Sequence, residues 1–207
     1  MGKRRKRPWE KNQGKLRRTV ESRGLPRQTF LIVCEGEKTE PNYFKAFRVK
    51  SAEIVVEGTG CNTVSLVDKT NRIIGTYERD EITFDQIWCV FDRDDFYNTF
   101  NDAIFKARSL GFQVAYSNEA FELWYLLHFI YFDSRITRQD YIRKLNEYLG
   151  DGYQKNSTEM FDLLQSLQEE AIKRASRLLE NYSGQNPNNE NPSTTVHLLV
   201  KELNRFR

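Results

Sequence analysis

Hydrophobic residues in the first part of the chain fall into short, continuous runs separated by polar segments. These runs are "QTFLIVC" (28–34), "AEIVVEG" (52–58), "DQIWCVF" (85–91) and "FQVAYS" (112–117). They are rich in β-branched and aromatic residues, and such continuous runs are typical of strands buried on both faces of a sheet. The pattern predicts four strands.

Segments with helical spacing lie between these runs. Apolar residues recur every three or four positions over 62–78, and a second helix is expected near 98–110, ending before Gly111. Pro41 favours a helix beginning after the first strand. Strands that alternate with helices predict βαβ units, so the expected fold class is α/β, with a mostly parallel four-stranded sheet flanked by helices.

Beyond residue 118 only helical periodicity remains. We expect helices over 119–131, 137–149 and 158–182, followed by a polar loop (183–193) and a last amphipathic helix. The chain is therefore expected to comprise a basic N-terminal arm (1–27), an α/β core (28–118) and a helical extension packed on that core (119–207).

The N-terminal arm is strongly basic. Residues 1–27 contain eleven Lys or Arg and two Glu, whereas the remaining residues contain 21 basic and 27 acidic side chains. A basic arm on a mildly acidic body predicts a polyanionic partner, most often nucleic acid, although a solvated tail that only aids solubility is the alternative. Trp9, a possible stacking group, favours nucleic acid. The expected contacts are Lys3, Arg4, Arg5, Lys6 and Arg7.

The cysteine content and the longest apolar run indicate the compartment. Cys34, Cys61 and Cys89 form no CxxC pair, which predicts free thiols in a reducing compartment and no zinc site. The longest apolar run, 121–132, contains Glu122 and His128 and is too short to span a bilayer. No apolar stretch follows the basic N-terminus "KRRKR", so we expect no secretory signal, no membrane association and a cytoplasmic protein.

Acidic residues follow two of the predicted strands. Glu35 follows the first strand, and Asp92 and Asp94 follow the third. Residues two apart in an extended chain point the same way, and ligands of parallel sheets bind at the carboxyl ends of strands. Clustered carboxylates repel one another, and Mg²⁺, which needs only one or two of them, would compensate. Gly36 is expected to let the backbone approach a ligand.

Three segments together resemble a known family. "VCEGEKTEPNYF" with "VFDRDD" resembles the Toprim domain, and with "SNEAFELWYLLHF" the chain resembles the RloB-like family of small stand-alone Toprim proteins, related to OLD-type nucleases, over 28–207. The resemblance implies a Mg²⁺- or Mn²⁺-dependent nuclease with one or two ions. It also implies a role in anti-phage or abortive-infection defence beside an ATPase of the ABC/AAA class.

The resemblance carries roles to individual residues. Glu35 matches the Toprim glutamate, Asp92 and Asp94 match the DxD motif, and Lys155 in "GYQKN" resembles a late lysine that meets the transition-state phosphate. These four residues are the expected catalytic set. The implied metal ligands are Glu35, Glu40, Asp92, Asp94 and Glu122.

Several of these assignments have alternatives. Glu40 resembles the second glutamate of an "EGxTE" stretch, but the spacing here is one residue longer, so Glu37 competes with it. Glu122 is equally well explained as a first-turn acid of a helix capped by Ser117 or Asn118. Lys155 is also consistent with an ordinary surface lysine.

Other residues bear on the substrate and on the helical half. Lys38 is a candidate phosphate contact. Glu119 stands where the related pattern has proline and is expected to be neutral variation. His128 is expected to be a hydrogen-bonded core or edge residue, and His197 a structural one.

Two further function classes compete with the nuclease. One is a non-catalytic nucleic-acid-binding or sensing subunit that docks on an ATPase. The other is a phosphohydrolase acting on a small nucleotide, which is disfavoured because Glu35-Gly36 stands where an aspartate nucleophile is expected. The edge strands of a short sheet also allow a homodimer.

Overall fold

The computed structural model of the chain describes residues 28–93, 99–150 and 152–207. The basic arm, including the predicted contacts from Lys3 to Arg7, lies outside the described residues, and so does Asp94.

A four-stranded parallel sheet forms the centre of the described structure, which confirms the predicted α/β fold. Its strands are β1 (Gln28–Cys34), β2 (Ala52–Gly58), β3 (Gln86–Asp92) and β4 (Gln113–Ser117), in the order β2-β1-β3-β4. At the carboxyl end of β1, Cys34 lies opposite Gly58 of β2 and Val90 of β3. The strands that carry Glu35 and Asp92 are therefore neighbours.

Helices cover both faces of the sheet. Helices α2 (Thr63–Glu78) and α3 (Phe100–Ser109) pack on one face, where Leu31 and Val33 of β1 belong to their hydrophobic cluster. Helix α1 (Thr39–Lys45) and the helices of the C-terminal half pack on the other face, against Phe30 and Ile32. Burial on both faces explains why the strands appear as continuous apolar runs in the sequence.

The C-terminal half is helical and is centred on α4 (Glu122–Phe129), whose residues from Glu122 to His128 are all buried. Around it lie α5 (Arg138–Leu149), α6 (Met160–Leu164), α7 (Gln168–Leu179) and α8 (Val196–Asn204). Within the described residues, none of these helices or the others combines the length and the apolar character that a bilayer crossing requires.

The prediction of one long helix over 158–182 is wrong. A 3₁₀ turn, Gln165–Leu167, separates α6 from α7. Helix α6 packs near α1, with the Phe161 and Phe47 rings 4.6 Å apart, whereas α7 packs against α4 and α8. The turn redirects the chain between these two packing surfaces and leaves Leu163 and Leu167 partly exposed.

The end of the polar loop covers the outer edge of β4. The amide of Asn118 donates to the carbonyl of Ser193, and the amide of Tyr116 donates to Thr195 Oγ1 (2.7 and 2.9 Å). In return, the amide and hydroxyl of Thr195 donate to the carbonyls of Tyr116 and Val114. We call residues 193–195 the edge segment. The polar loop was predicted to end at Ser193, and the structure shows that Ser193 and the two threonines after it are buried.

Candidate active site

The carboxyl ends of β1 and β3 open into a cavity of about 420 Å³ between the sheet and the helical half. It brings together Glu35, Glu40, Asp92, Glu122, Lys38 and Lys155, which are the predicted catalytic, metal-binding and phosphate-contacting residues within the described part of the chain. Its other lining residues are Gly36, Glu37, Thr39, Phe121, Arg138 and Asn156.

Glu35 is fixed between two elements of the α/β core. Its Oε2 accepts a hydrogen bond from the amide of Asp92 (3.1 Å), and its Oε1 accepts one from Thr63 Oγ1 (3.2 Å) at the first turn of α2. Its own amide donates to the carbonyl of Val90 (2.8 Å). These bonds place the Glu35 carboxylate beside Asp92, as the strand order requires.

Asp92 links the sheet to the helical half. Its Oδ2 accepts a hydrogen bond from the amide of Phe121 (3.0 Å), just before α4, and lies 3.5 Å from the guanidinium of Arg138. Its Oδ1 is buried and has no hydrogen-bond partner among the described residues. Burial raises the pKa of the Asp92 carboxyl, with a further contribution from the negative charge of Glu40, while Arg138 opposes the rise.

Glu40 and Glu122 form a second acidic pair in the cavity. Glu40, on α1, is only 6% exposed, and burial raises the pKa of its carboxyl. The negative charge of Glu122 adds to this rise, whereas Lys155 and Arg138 oppose it. Glu122, on α4, accepts a hydrogen bond from the Tyr153 hydroxyl at its Oε1 (2.8 Å).

The alternatives for Glu122 are partly resolved. Helix α4 begins without a side-chain cap. Ser117 is hydrogen-bonded to Thr194, and the Asn118 amide group donates to the carbonyls of Pro187 and Asn188. The prediction that Ser117 or Asn118 caps this helix is therefore wrong.

Gly36 lies directly against a side chain of the site. A Cβ atom at this position would overlap the carboxylate of Glu40. The space above the Gly36 backbone is therefore taken by a side chain of the site itself. The glycine allows Glu40 to lie against the loop that follows β1.

Lys155 is held over the cavity by a short stretch that we call the 152–157 segment. Thr39 Oγ1 donates to the carbonyl of Lys155 (2.7 Å), and the Asn42 amide group donates to the carbonyl of Asn156 (2.9 Å). The amide of Tyr153 donates to Asn146 Oδ1 in α5 (3.1 Å). The Lys155 side chain is exposed and close enough to Glu40 to lower that residue's pKa.

The described side chains fit a lightly ligated magnesium or manganese ion. No group of three His, Cys, Asp or Glu side chains within the described ranges is arranged to hold a metal. Mg²⁺, however, needs only one or two carboxylates together with water and substrate phosphate. The buried Oδ1 of Asp92, a residue whose amide donates to the Glu35 carboxylate, provides such a ligand position.

The charge of the described lining residues agrees with one divalent cation. Among its described lining residues, five are carboxylates and three are Lys or Arg, which leaves two negative charges when all are ionised. The five-carboxylate ligand set and a second ion remain predictions, in part because Asp94 lies outside the described residues.

Comparison with known families identifies the chain. A family model described as "RloB-like protein" matches residues 30–203. The chain belongs to the RloB-like family. Searches of curated proteins and of solved structures found no significant match.

Two arginines of this RloB-like chain were not predicted as site residues. Arg138 lies in the cavity, and Arg93, directly after Asp92, is 2% exposed and forms an ion pair with Glu119. Arg93 had a local signal, because a basic residue inside an acidic "FDRDD" motif requires a partner when the strand end is buried. Arg138 had none, because tertiary packing alone brings α5 to the sheet.

Glu119 was expected to be neutral variation, and the structure contradicts this expectation. Its φ is 80°, a left-handed conformation that proline, with φ near −65°, cannot adopt. Its carboxylate also pairs with Arg93 and accepts a hydrogen bond from the side chain of Asn191 (3.4 Å). Both the backbone and the side chain therefore differ from what a proline would give.

The two histidines match their predicted structural roles. His128 is buried with its Nδ1 2.9 Å from the carbonyl of Trp124, and His197 is buried with its Nδ1 3.2 Å from the carbonyl of Thr194. Burial lowers the pKa of each to about 4. Neither histidine lines the cavity.

Proposed function

We propose that the chain is a metal-dependent phosphodiesterase, a nuclease that acts on nucleic acid. The observation that carries this proposal is the buried Asp92 Oδ1, without a hydrogen-bond partner among the described residues, beside Glu35 in a cavity that also contains Lys155. Most buried carboxylate oxygens have at least one hydrogen-bond partner, and Glu57 and Glu190, the other described carboxylates with a buried oxygen that has none, lie outside the cavity. An uncommitted oxygen in an acidic cavity is instead suited to bind a cation.

The site residues have separable roles in this proposal. Asp92 and Glu35 would hold Mg²⁺ or Mn²⁺, which, when bound, would supply a water nucleophile of lowered pKa and charge stabilisation at the scissile phosphate. The Phe121 amide and Arg138 contact Asp92 Oδ2, which leaves Oδ1 as the oxygen that would bind the ion. Glu35 is kept in place by Thr63 and by the backbone of β3.

Lys155 would act on the substrate rather than on the ion. Its exposed ammonium group lies near Glu40 at the mouth of the cavity, where it can stabilise negative charge on a phosphoryl oxygen. Lys38, also exposed in the lining, would add a further phosphate contact. The basic arm would contribute salt-dependent, sequence-independent affinity for the polymer.

We extend the proposal to the biological setting. Membership of the RloB-like family supports a role in anti-phage or abortive-infection defence, together with an ATPase partner of the ABC/AAA class. The alternative is a non-catalytic subunit that binds or senses nucleic acid for such a partner.

The test is cleavage of plasmid, single-stranded DNA and total RNA in the presence of Mg²⁺ or Mn²⁺. Glu35→Gln and Asp92→Asn should each reduce cleavage by about 100-fold or more, because each removes a charged ion ligand. Glu78→Gln, at the exposed end of α2, is the matched control and should cleave like wild type. Mn²⁺ binding, measured by calorimetry, should fall in the two site variants only.

Two outcomes would reject the nuclease. Cleavage that persists in both site variants would assign the activity to a contaminant. Absence of both cleavage and Mn²⁺ binding in folded wild-type protein would favour the non-catalytic subunit.

A further inference from the structure

We propose that a second cation site lies between the end of β4 and the polar loop (183–193), and that this site binds Ca²⁺. Its ligands would be the side-chain oxygens of four residues, which we call the loop site: Asn118, Asn188, Glu190 and Asn191. None of these residues lines the cavity. The inference therefore concerns a site that takes no part in the proposed nuclease reaction.

The loop site is a concentration of buried acceptor atoms. Asn118 Oδ1, Asn188 Oδ1, Glu190 Oε2 and Asn191 Oδ1 are each buried without a hydrogen-bond partner among the described residues. Asn118 is fully buried, and Glu190 is 6% exposed. Buried polar atoms are seldom left unpaired. Because all four atoms are acceptors, the group that satisfies them must be a donor or a cation.

Hydrogen bonds bring Asn118 and Glu190 to the same turn of the polar loop. The Asn118 side-chain amide donates to the carbonyls of Pro187 (2.6 Å) and Asn188 (3.2 Å). Glu190 Oε1 accepts a hydrogen bond from the amide of Asn186 (3.4 Å), and the Glu190 amide donates to the carbonyl of Pro187 (3.3 Å). Both side chains therefore lie against this turn.

Asn191 is held at the same end of β4. Its Nδ2 donates to Glu119 Oε2 (3.4 Å), and Glu119 directly follows Asn118. The backbone amide of Asn118 donates to the carbonyl of Ser193 (2.7 Å), two residues beyond Asn191. The four residues of the loop site thus lie where the end of β4 packs against the polar loop.

The charge of Glu190 is not balanced by a basic side chain. No ion pair between described residues includes Glu190. Glu57, another buried carboxylate with an unpaired oxygen, differs because Lys45 and Lys69 oppose the rise in its pKa that burial causes. Burial raises the pKa of Tyr116 to about 12, and the negative charge of Glu190 adds to this rise, so Glu190 lies near β4. Burying a carboxylate without a cationic partner is costly, and a bound cation would remove that cost.

The ligand atoms indicate the kind of cation. One carboxylate and three amide oxygens are hard ligands, which favour Ca²⁺ or Mg²⁺ over Zn²⁺. Ca²⁺ accepts about six to eight oxygens in a flexible geometry, including Asn carbonyls and water, whereas Mg²⁺ demands a nearly ideal octahedron. Side chains from an irregular loop suit Ca²⁺ better. With a single carboxylate, we expect a dissociation constant on the order of 10⁻⁴ M.

The test measures Ca²⁺ binding to the full chain by calorimetry in an Asp92→Asn background, which removes the ion ligand of the cavity. In this background Glu190→Gln should weaken Ca²⁺ binding by about tenfold or more, because the loop site loses its carboxylate. Asn188→Asp adds a second carboxylate and should strengthen binding by about tenfold. Glu180→Gln, at an exposed position after α7, is the matched control and should bind Ca²⁺ like the background.

Amide hydrogen exchange locates the ion. The amides of Asn118 and Asn186 donate to the Ser193 carbonyl and to Glu190 Oε1. Saturating Ca²⁺ should slow their exchange in wild type and in Asp92→Asn, because the ion binds only the closed arrangement of the loop. It should not slow their exchange in Glu190→Gln. Melting temperatures without Ca²⁺ show whether each variant is folded.

Three results would overturn the inference. Equal Ca²⁺ affinity in the background and in Glu190→Gln would place the ion elsewhere. Absence of Ca²⁺ binding and of slowed exchange in folded wild type would leave water as the partner of the four oxygens. If Glu190→Gln does not fold, Asn188→Asp decides alone, and an unchanged affinity in that variant would reject the site. Each of these results leaves the nuclease proposal standing, because Asp92 and Glu35 lie outside the loop site.

Discussion

Two arginine–carboxylate contacts lie at the same edge of the sheet, and they differ in the burial of the arginine and in the closeness of the contact. Arg93 is 2% exposed and pairs closely with Glu119, whereas Arg138 is 26% exposed and approaches Asp92 only to 3.5 Å. The first contact lies within the protein, and the second borders a cavity. The difference suggests that the Arg93–Glu119 pair supports the fold, whereas the Arg138–Asp92 pair belongs to the cavity and its chemistry.

Breaking the buried pair should give the largest change in stability. Glu119→Gln removes the carboxylate partner of Arg93 and should lower the free energy of unfolding by about 3 kcal/mol, the usual cost of disrupting a buried ion pair. Urea unfolding measures this change. Glu170→Gln, which breaks the exposed pair with Lys173, is the control and should leave the unfolding free energy nearly unchanged. Equal effects of the two substitutions would show that the buried Arg93–Glu119 pair contributes no more to stability than an exposed ion pair.

Adding a side chain at Gly36, in the lining of the cavity, should have a smaller effect on stability. Gly36→Ala introduces a methyl group that overlaps the Glu40 carboxylate, and it should destabilise the protein by about 1.5 kcal/mol, in the lower part of the usual range for overpacking, because the overlapped atoms are the flexible end of a side chain and can shift. In a Glu40→Ala background the same substitution should cost much less, because the overlapping atoms are gone. A double-mutant cycle in chemical denaturation measures this coupling. Simple additivity of the two substitutions would show that Glu40 is not the group that Gly36 accommodates.

Loosening the 152–157 segment should change stability still less. Thr39→Val removes the hydrogen bond to the carbonyl of Lys155 and should lower the unfolding free energy by about 1 kcal/mol. Amide hydrogen exchange should increase within the segment. Thr76→Val, which removes a bond within α2, serves as the control and should leave exchange of the segment unchanged. Unaltered exchange in Thr39→Val would mean that Asn42 and Tyr153 hold the segment alone.

The smallest expected change in stability comes from the pH dependence of His128, which is buried in the helical half and is expected to be uncharged near neutral pH. His128 has a folded pKa of about 4 against an unfolded value near 6.5, so the unfolded chain binds the proton first as the pH falls. Its stabilising contribution is therefore complete above pH 6.5 and is lost as the pH falls toward 4. From pH 7 to pH 6 the loss should be roughly 0.7 kcal/mol for one such histidine.

His128→Gln should remove this share of the pH dependence. The part due to His197, which is also buried with a pKa of about 4, should remain. Unfolding free energies of the variant and of wild type at the two pH values give the difference directly. An identical pH dependence in both proteins would show that His128 is not buried as a neutral group.

The strands and the acidic edge of the sheet could be predicted because they depend on local sequence. Burial on both faces produces the apolar runs, and both β1 and β2 have the predicted bounds. Parallel pairing then brings Glu35 and Asp92 together once β1 and β3 are adjacent. The resemblance supplied Glu122 and Lys155, which the structure places in the same cavity.

The remaining parts of the site depend on tertiary packing that no local pattern encodes. Arg138, the Phe121 amide and the Tyr153 hydroxyl reach the cavity only because the helical half folds over it. The prediction of one helix over 158–182 failed for the same reason, since its two parts pack on different neighbours. Periodicity shows which face of a helix is buried, but not what covers it.

The edge segment at residues 193–195 has a consequence for assembly. A second copy that extended the sheet through β4 would need the outward amide and carbonyl groups of Val114, Tyr116 and Asn118. The edge segment already uses the carbonyl of Val114, both groups of Tyr116 and the amide of Asn118. A homodimer of this chain is therefore expected to use a surface other than β4, and strand exchange or fibril growth from that edge would first require the segment to detach.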